Sequence, residues 1–268
     1  MFLEAVWLSV RDDLCGSSNF LVGCVFTYCL LTGTFILLSL LLFVFDSTGW
    51  PKFVRQYKIQ EDVIWDWTKF WHAIQSTGFN IVVTTPIFHL FLYVLLTWRG
   101  CHMDTELPGL LEVLRDMLVF LVIEEMGFYY SHRLLHSPYL YKRIHKIHHE
   151  FTAPFGVVAI ACHPLEHIIA NMTPLALGPM ICGSHVTVIW LWYVVSIVTT
   201  VITHSGYHFP LCPSAEFHDY HHLKFNQCYG VLGVLDWLHG TDAFFRNTKQ
   251  FRRHFTVFTL TPVKALIP

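Results

Sequence analysis

Charge is scarce in this 268-residue chain: 13% of its residues are Asp, Glu, Lys or Arg, against 54% hydrophobic. Soluble domains carry about 25% charged residues. That shortage, with a mean hydropathy of +0.47, argues against a water-soluble domain and fits a polytopic membrane protein. The formal net charge is −2, so there is no basic field for nucleic acid. Paired cysteines are missing as well. The eight cysteines (15, 24, 29, 101, 162, 182, 212 and 228) form no C-x-x-C, and Cys24 and Cys29 lie inside an apolar run. Neither a disulfide framework nor a zinc ribbon follows from them.

Several catalytic signatures are absent. There is no G-x-S-x-G elbow for serine hydrolysis, and no Walker A or G-x-G-x-x-G loop for a nucleotide. No C-x-x-C-H offers covalent haem attachment. H-E-x-x-H is missing, because Glu150 follows His149 with no histidine at the needed distance. The E-x-x-H pairs of soluble di-iron bundles are not repeated either. No repeat of fixed period and no second domain is visible.

Long apolar runs are what the chain does have. Phe20–Phe45 is uncharged and exceeds the roughly 20 residues that span a bilayer core. Arg11 is followed by Asp12 and Asp13 before it, and no small-residue cleavage site follows it, so it reads as a retained span. Phe79–Trp98 is a second span, holding Pro86 and His89. Val113–Tyr130 is a third, with Arg115 and Asp116 near its start and Glu124 and Glu125 deep inside, where ionisable groups face a protein interior or a polar cavity. Ile168–Cys182 and Val186–Thr203, separated only by Gly183-Ser184-His185, read as a re-entering helical hairpin. The sequon at Asn171 lies in that hairpin and reads as chance. The expected fold is an all-α, polytopic helical bundle. Residues 1–109 form an N-terminal membrane region with two spans, 110–255 a catalytic region, and 256–268 a tail.

Basic residues set the orientation. Lys52, Arg55, Lys58 and Lys69 follow the first span. Arg133, Lys142, Arg143 and Lys146 follow the third, and Lys224, Arg246, Lys249, Arg252, Arg253 and Lys264 follow the last. Only Arg99 lies between spans two and three. The positive-inside rule puts the histidine-rich segments and the C-terminus in the cytosol.

Those segments hold most of the 18 histidines. His132 and His136 are four apart, which on a helix puts them on one face. His145, His148 and His149 form H-x-x-H-H, and His218, His221 and His222 repeat it, each triple able to converge on one side. His204 and His208 are again four apart. Neutral imidazole is the commonest metal ligand, and one ion takes about four to six ligands. Ten such histidines therefore predict two ions on the cytosolic membrane face. His72, His89, His102, His185 and His254 carry no assignment, and His239 reads as structural. His163 and His167 have ligand spacing, but Pro164 and the loop context point to supporting roles. Asp219, inside a box, is expected to orient a ligand imidazole, as are Glu124 and Glu125. Asn226 is a further candidate near the site. Phe128, Tyr129, Tyr130, Phe151, Phe155, Phe217 and Tyr220 are expected either to line a lipid channel or simply to pack at the membrane surface.

Over roughly residues 110–255, the segments EEMGFYYSHRLLH, YKRIHKIHHE, HPLEH, HSGYH and EFHDYHHLKFNQCYGVLGVLDWLHGTD resemble the fatty acid hydroxylase superfamily. These are membrane histidine-box di-iron oxygenases, and the last segment looks like the sterol-modifying branch that includes C-4 methylsterol oxidases. The resemblance implies a monooxygenase of the endoplasmic reticulum membrane, multi-pass, with its active site facing the cytosol. It implies two iron ions, O2, and electrons from NAD(P)H through cytochrome b5 or its reductase. Carried over, the three boxes are His132, His136, His145, His148, His149, His218, His221 and His222, and His204 and His208 match an additional ligand pair. No H-P-G-G haem segment is present, so the electron donor would be a separate protein. The implied function is oxidation of a lipid, a C-4 methylsterol first, with a fatty-acyl or sphingolipid substrate as the alternative. A regulatory protein that keeps the metal fold without turnover is the reading from another class; all ten box positions being filled argues against it.

Overall fold

A computed structural model describes residues 2–104 and 106–268. Among them there is no β-strand, only an isolated bridge between Lys58 and Tyr207. Three helices are long and apolar enough to cross a membrane: α1 (Leu21–Thr48), α2 (Trp67–Arg99) and α6 (Val186–Thr203). Between them lie α3 (Leu110–Leu135), α4 (Pro138–Arg143) and α5 (Thr173–Cys182), and after them α7 (Glu216–Lys224) and α8 (Val234–His239). The all-α membrane bundle is therefore as expected.

Both N-terminal helices outrun the apolar runs that signalled them. α1 continues to Thr48 and stops at Gly49, whose φ of 65° is left-handed, a conformation glycine adopts without strain. α2 begins twelve residues before the apolar run. Its first turns carry Lys69, His72 and Gln75, too polar for a hydropathy signal. Asp66 starts it by accepting from the Thr68 and Lys69 amides at 2.8 and 3.2 Å, a side-chain cap for otherwise orphaned donors. A π-helical turn at Asn80–Thr84 sits just ahead of Pro86. Proline supplies no N–H to the helix, and widening the turn is one way to accommodate that.

The third expected span lies within α3, which falls outside the apolar group because of Glu112, Arg115, Asp116, Glu124, Glu125 and Arg133. Its pattern is that of a membrane helix turned polar side in. Leu110, Leu114, Leu118, Val122, Met126, Tyr130 and Leu134, one every four residues, are exposed. Asp116, Phe120, Glu124, Glu125 and His132 are buried on the other face. The expected hairpin forms too. A π turn at His167–Met172 leads into α5, Gly183 ends it at φ 67°, and His185 caps α6 through the Thr187 amide.

Close helix approach holds α3 against α5. A Cβ on Gly178 would lie 2.8 Å from the Phe120 Cα, and one on Gly127 would lie 2.9 Å from Pro174 Cβ. Phe120 then joins Leu31, Leu92, Leu96, Ala176, Ile189 and Trp192 in one core shared by five helices. The histidine-bearing segments gather at the end of the bundle where α1, α3 and α6 finish. Asn80, fully buried in α2, anchors one of them by donating to the Ile160 and Cys162 carbonyls at 2.9 Å. At the opposite end the Val186 amide donates to His102 O at 2.9 Å.

Candidate metal centre

Nine of the ten box histidines converge in two groups. His132, His136, His145, His149 and His221 form one, and His148, His204, His218 and His222 the other. Within each group the ligand atoms all lie within 4.8 Å of one another. In the first, Nε2–Nε2 distances are 3.1 Å for His132–His145, 2.9 Å for His136–His145, 2.9 Å for His145–His149 and 3.1 Å for His149–His221. In the second they are 3.3 Å for His148–His204, 2.8 Å for His204–His218 and 3.1 Å for His218–His222. Two nitrogens each about 2.1 Å from one ion and at right angles are about 3.0 Å apart, so the spacing suits a single cation per group.

The boxes interleave. In each H-x-x-H-H triple the first and last histidines go to one group and the middle one to the other: His145 and His149 against His148, His218 and His222 against His221. Convergence of each triple on one side, expected from spacing, is therefore corrected. His145–Glu150 is a 3-10 helix, and α7 lies between the groups, so positions i and i+4 face one centre while i+3 faces the next. The groups are neighbours: the His148 and His149 rings are 5.6 Å apart, the His149 and His222 rings 5.0 Å.

His208 stands apart. Its Nε2 bonds Phe255 O at 3.0 Å and its Nδ1 faces Ser214 and Glu216 at 3.5 Å. The pairing with His204 assumed a continuous helix. Instead α6 ends at Thr203, and Gly206 turns the chain at φ 70°.

The tautomers show why a cation belongs here. His204 Nδ1 lies 2.8 Å from Thr200 O and His148 Nδ1 3.4 Å from Ala161 O. A carbonyl oxygen only accepts, so each Nδ1 carries the proton and each Nε2 presents a lone pair. Those two lone pairs face one another at 3.3 Å, an arrangement that repels until a cation sits between them. His132, His221 and His222 are fixed likewise by the carbonyls of Tyr229 (2.7 Å), Gln227 (2.6 Å) and Phe151 (3.0 Å). Burial, reinforced by neighbouring imidazoles, pushes His145, His148, His149, His218, His221 and His222 well below the ordinary histidine range. His136 falls to about 2 and His204 to about 4, again chiefly by burial. The ligands are thus neutral at physiological pH, the form that binds metal.

The supporting residues differ from those expected. Asp219 touches no ligand imidazole; both its oxygens accept from Gln60 Nε2 at 3.2 Å. The carboxylate that does so is Glu166, whose Oε1 is 2.8 Å from His145 Nδ1. Sequence reading passed over it because HPLEH was read for its histidines, although a lone acid in that box was the available signal. His163 acts on the same turn by capping it through the Leu165 amide at 3.2 Å. His167 Nε2 bonds Thr85 Oγ1 at 3.1 Å. Glu125 reaches no imidazole but accepts from the Val231, Leu232 and Leu235 amides. Asp236 holds the Tyr229 and Gly230 amides at 2.9 and 2.7 Å. Together they fix the loop whose Tyr229 carbonyl orients His132. Glu124 is buried and lines a cavity; Asn226 is exposed.

That cavity joins the centre to the bundle interior. Its wall includes His132, His145, His148, His204 and His218, and continues along Phe35, Leu92, Phe128, Leu175, Tyr193 and Ile197.

Residues 117–241 match the fatty acid hydroxylase family, a stretch that holds all nine converging histidines. The chain belongs to this family. It is 46% identical over 273 residues to fatty acid hydroxylase domain-containing protein 2 of Homo sapiens, covering 100% of this chain and 80% of that protein. It is 34% identical to fatty acid hydroxylase ahd1 of Mycosarcoma maydis (92% and 63% covered). To methylsterol monooxygenase 2-2 of Arabidopsis thaliana it is 31% identical (94% and 97%). Of these relatives one is a hydroxylase and one a monooxygenase, both oxidoreductases by name. No solved structure matches.

Proposed function

We propose that the chain is a membrane-bound lipid monooxygenase of the endoplasmic reticulum whose two histidine groups hold two iron ions, with a C-4 methylsterol as substrate. The observation that carries this reading is the continuity of the cavity. One wall is box-histidine imidazole and much of the rest is apolar side chains from helices long enough to cross the bilayer, such as Phe35, Leu92 and Ile197, so a lipid partitioned in the membrane can present a C–H bond to the centre. Iron supplies the redox chemistry that an unactivated C–H bond requires and that zinc lacks. In balance, one atom of O2 enters the C–H bond and the other leaves as water; the two electrons would come from NAD(P)H through cytochrome b5 or its reductase, and of the two protons one is released by NAD(P)H and one is taken from solvent.

The chain's own part is positioning and exclusion of water. Carbonyls of Phe151, Ala161, Thr200, Gln227 and Tyr229 hold the imidazoles in the ligating tautomer. The surrounding helices keep the cavity apolar. The basic residues after α1, α3 and α6 support a cytosolic centre, close to a soluble reductant, and residues 110–255 would be the catalytic unit. Relatedness to a methylsterol monooxygenase over 97% of its length supports a sterol. Likeness to fatty acid hydroxylase ahd1 supports an acyl chain as the second substrate class. Comparing sterol and sphingolipid profiles in cells with and without the chain decides. Loss should accumulate C-4 methylsterols, and His148→Ala should reproduce the loss. An unchanged lipid profile would sink the enzyme reading.

A further inference from the structure

Away from the two histidine groups, the cavity wall carries a second polar cluster, where α2 meets the turn ahead of α5. His89 and His167 are 7% and 5% exposed, and both line the cavity. His89 Nδ1 lies 3.0 Å from Thr85 O. Because a carbonyl only accepts, that nitrogen carries the proton and Nε2 of the neutral ring is a lone pair. The Nε2 is buried and has no partner among the described residues. His167 Nε2 lies 3.1 Å from Thr85 Oγ1. In the tautomer where that hydroxyl donates to Nε2, the ring proton lies on Nδ1, which is also buried and unpartnered. One threonine thus bridges a free acceptor and a free donor, and unsatisfied buried polar atoms call for a partner.

We infer that His89 and His167 form a subsite for an uncharged hydroxyl group of the lipid, which donates to His89 Nε2 and accepts from His167 Nδ1. This rests on the reading that the cavity holds a lipid substrate, and it narrows the class. A ketone, an ether or a carboxylate only accepts and leaves His89 without a donor. No Lys or Arg lines the cavity among the described residues, so an anionic headgroup has no counter-charge. The position matters too. Glu166, next to His167 in the chain, bonds His145, and His145, Glu166 and His167 all line this cavity. The subsite thus shares one cavity with the first histidine group, as the 3-hydroxyl and the 4-methyl carbon share one end of a sterol. A long-chain alcohol offers the same chemistry. The rival anchor is Tyr193, whose hydroxyl is buried without a partner among Leu31, Leu92 and Phe120.

The test is equilibrium binding to the purified, metal-containing chain in nanodiscs. Four probes are used: 4,4-dimethylcholesterol, its 3-O-methyl ether, hexadecanol and methyl hexadecyl ether. The free hydroxyl of at least one pair should bind about tenfold more tightly than its ether, and the pair that discriminates identifies the sterol or the acyl source. His89→Leu and His167→Leu should each erase that preference while metal content stays the same; Tyr193→Phe should keep it. Equal binding of alcohol and ether by the unaltered chain overturns the inference without any variant. Loss of the preference in Tyr193→Phe, with both histidine variants retaining it, overturns it as well. Binding of none of the four by metal-loaded protein removes the lipid-cavity reading itself and the subsite with it.

Discussion

Glu166 is the carboxylate that meets a ligand imidazole, and it does so from a three-residue helix opened by Pro164 and capped by His163. Its bond to His145 Nδ1 fixes the ring and raises the basicity of Nε2, an outer contact whose loss typically costs 10–100-fold in metal affinity. Glu166→Gln keeps the shape but replaces the carboxyl group with an amide, so metal affinity should fall about tenfold in a chelator competition. Asp219→Asn, whose partner is Gln60, should leave affinity unchanged. The reverse order of effects would restore Asp219 to the role its place in a box suggested. At this scale the converging histidines were legible and the partners of their Nδ1 atoms were not. Repeated H-x-x-H-H declares imidazole chemistry in one dimension. Which acceptor meets each Nδ1 depends on contacts between residues as distant as His132 and Tyr229, and these are mostly backbone carbonyls, which no side-chain identity reveals.

Among the elements, the loop between α7 and α8 depends most on a single residue elsewhere. Glu125 on α3 accepts from the Val231 and Leu232 amides of that loop at 3.1 and 2.8 Å, and from the Leu235 amide in the first turn of α8 at 3.3 Å. Hydrogen bonds to a charged group are worth about 1.5–3 kcal/mol each, and unmet buried donors cost more. Glu125→Ala should therefore destabilise the fold by about 3 kcal/mol or more. It should also weaken the first histidine group, because the Tyr229 carbonyl is released from His132. Thermal unfolding and metal content, measured together, check both parts; a stable variant with full metal would contradict the anchoring role. Apolar runs announced α1, the second half of α2 and α6. The first half of α2 stayed hidden because its polar face lies outside a hydropathy window, and only the Asp66 cap marks its start. The outward apolar stripe of α3, one residue in four, was legible in principle, yet the acids on its other face obscured it.

The whole molecule closes on the histidines, since α3, the His145–Glu150 turn, the end of α6 and α7 all contribute to the two groups. Without cations, nine imidazoles, seven of them buried and His136 and His218 half-buried, crowd together where the chain segments meet, so metal removal should loosen the entire bundle rather than one loop. Acid should amplify this. Burial holds the box histidines outside the membrane helices below their ordinary value of about 6.5. Above pH 6.5 both folded and unfolded chains keep these rings neutral and stability is unaffected by them. As pH drops through 6.5 the unfolded chain takes up protons that the folded chain does not, so stability falls. At pH 5.5 each such imidazole costs about 1.4 kcal/mol. Chelator-treated protein should thus unfold at a clearly lower temperature at pH 5.5 than at pH 8. The metal-loaded form should change less until protons displace the ions, because bound cations keep the rings deprotonated in the folded state. Equal unfolding temperatures at the two pH values in the chelated protein would mean that the imidazoles are not buried as the bundle requires.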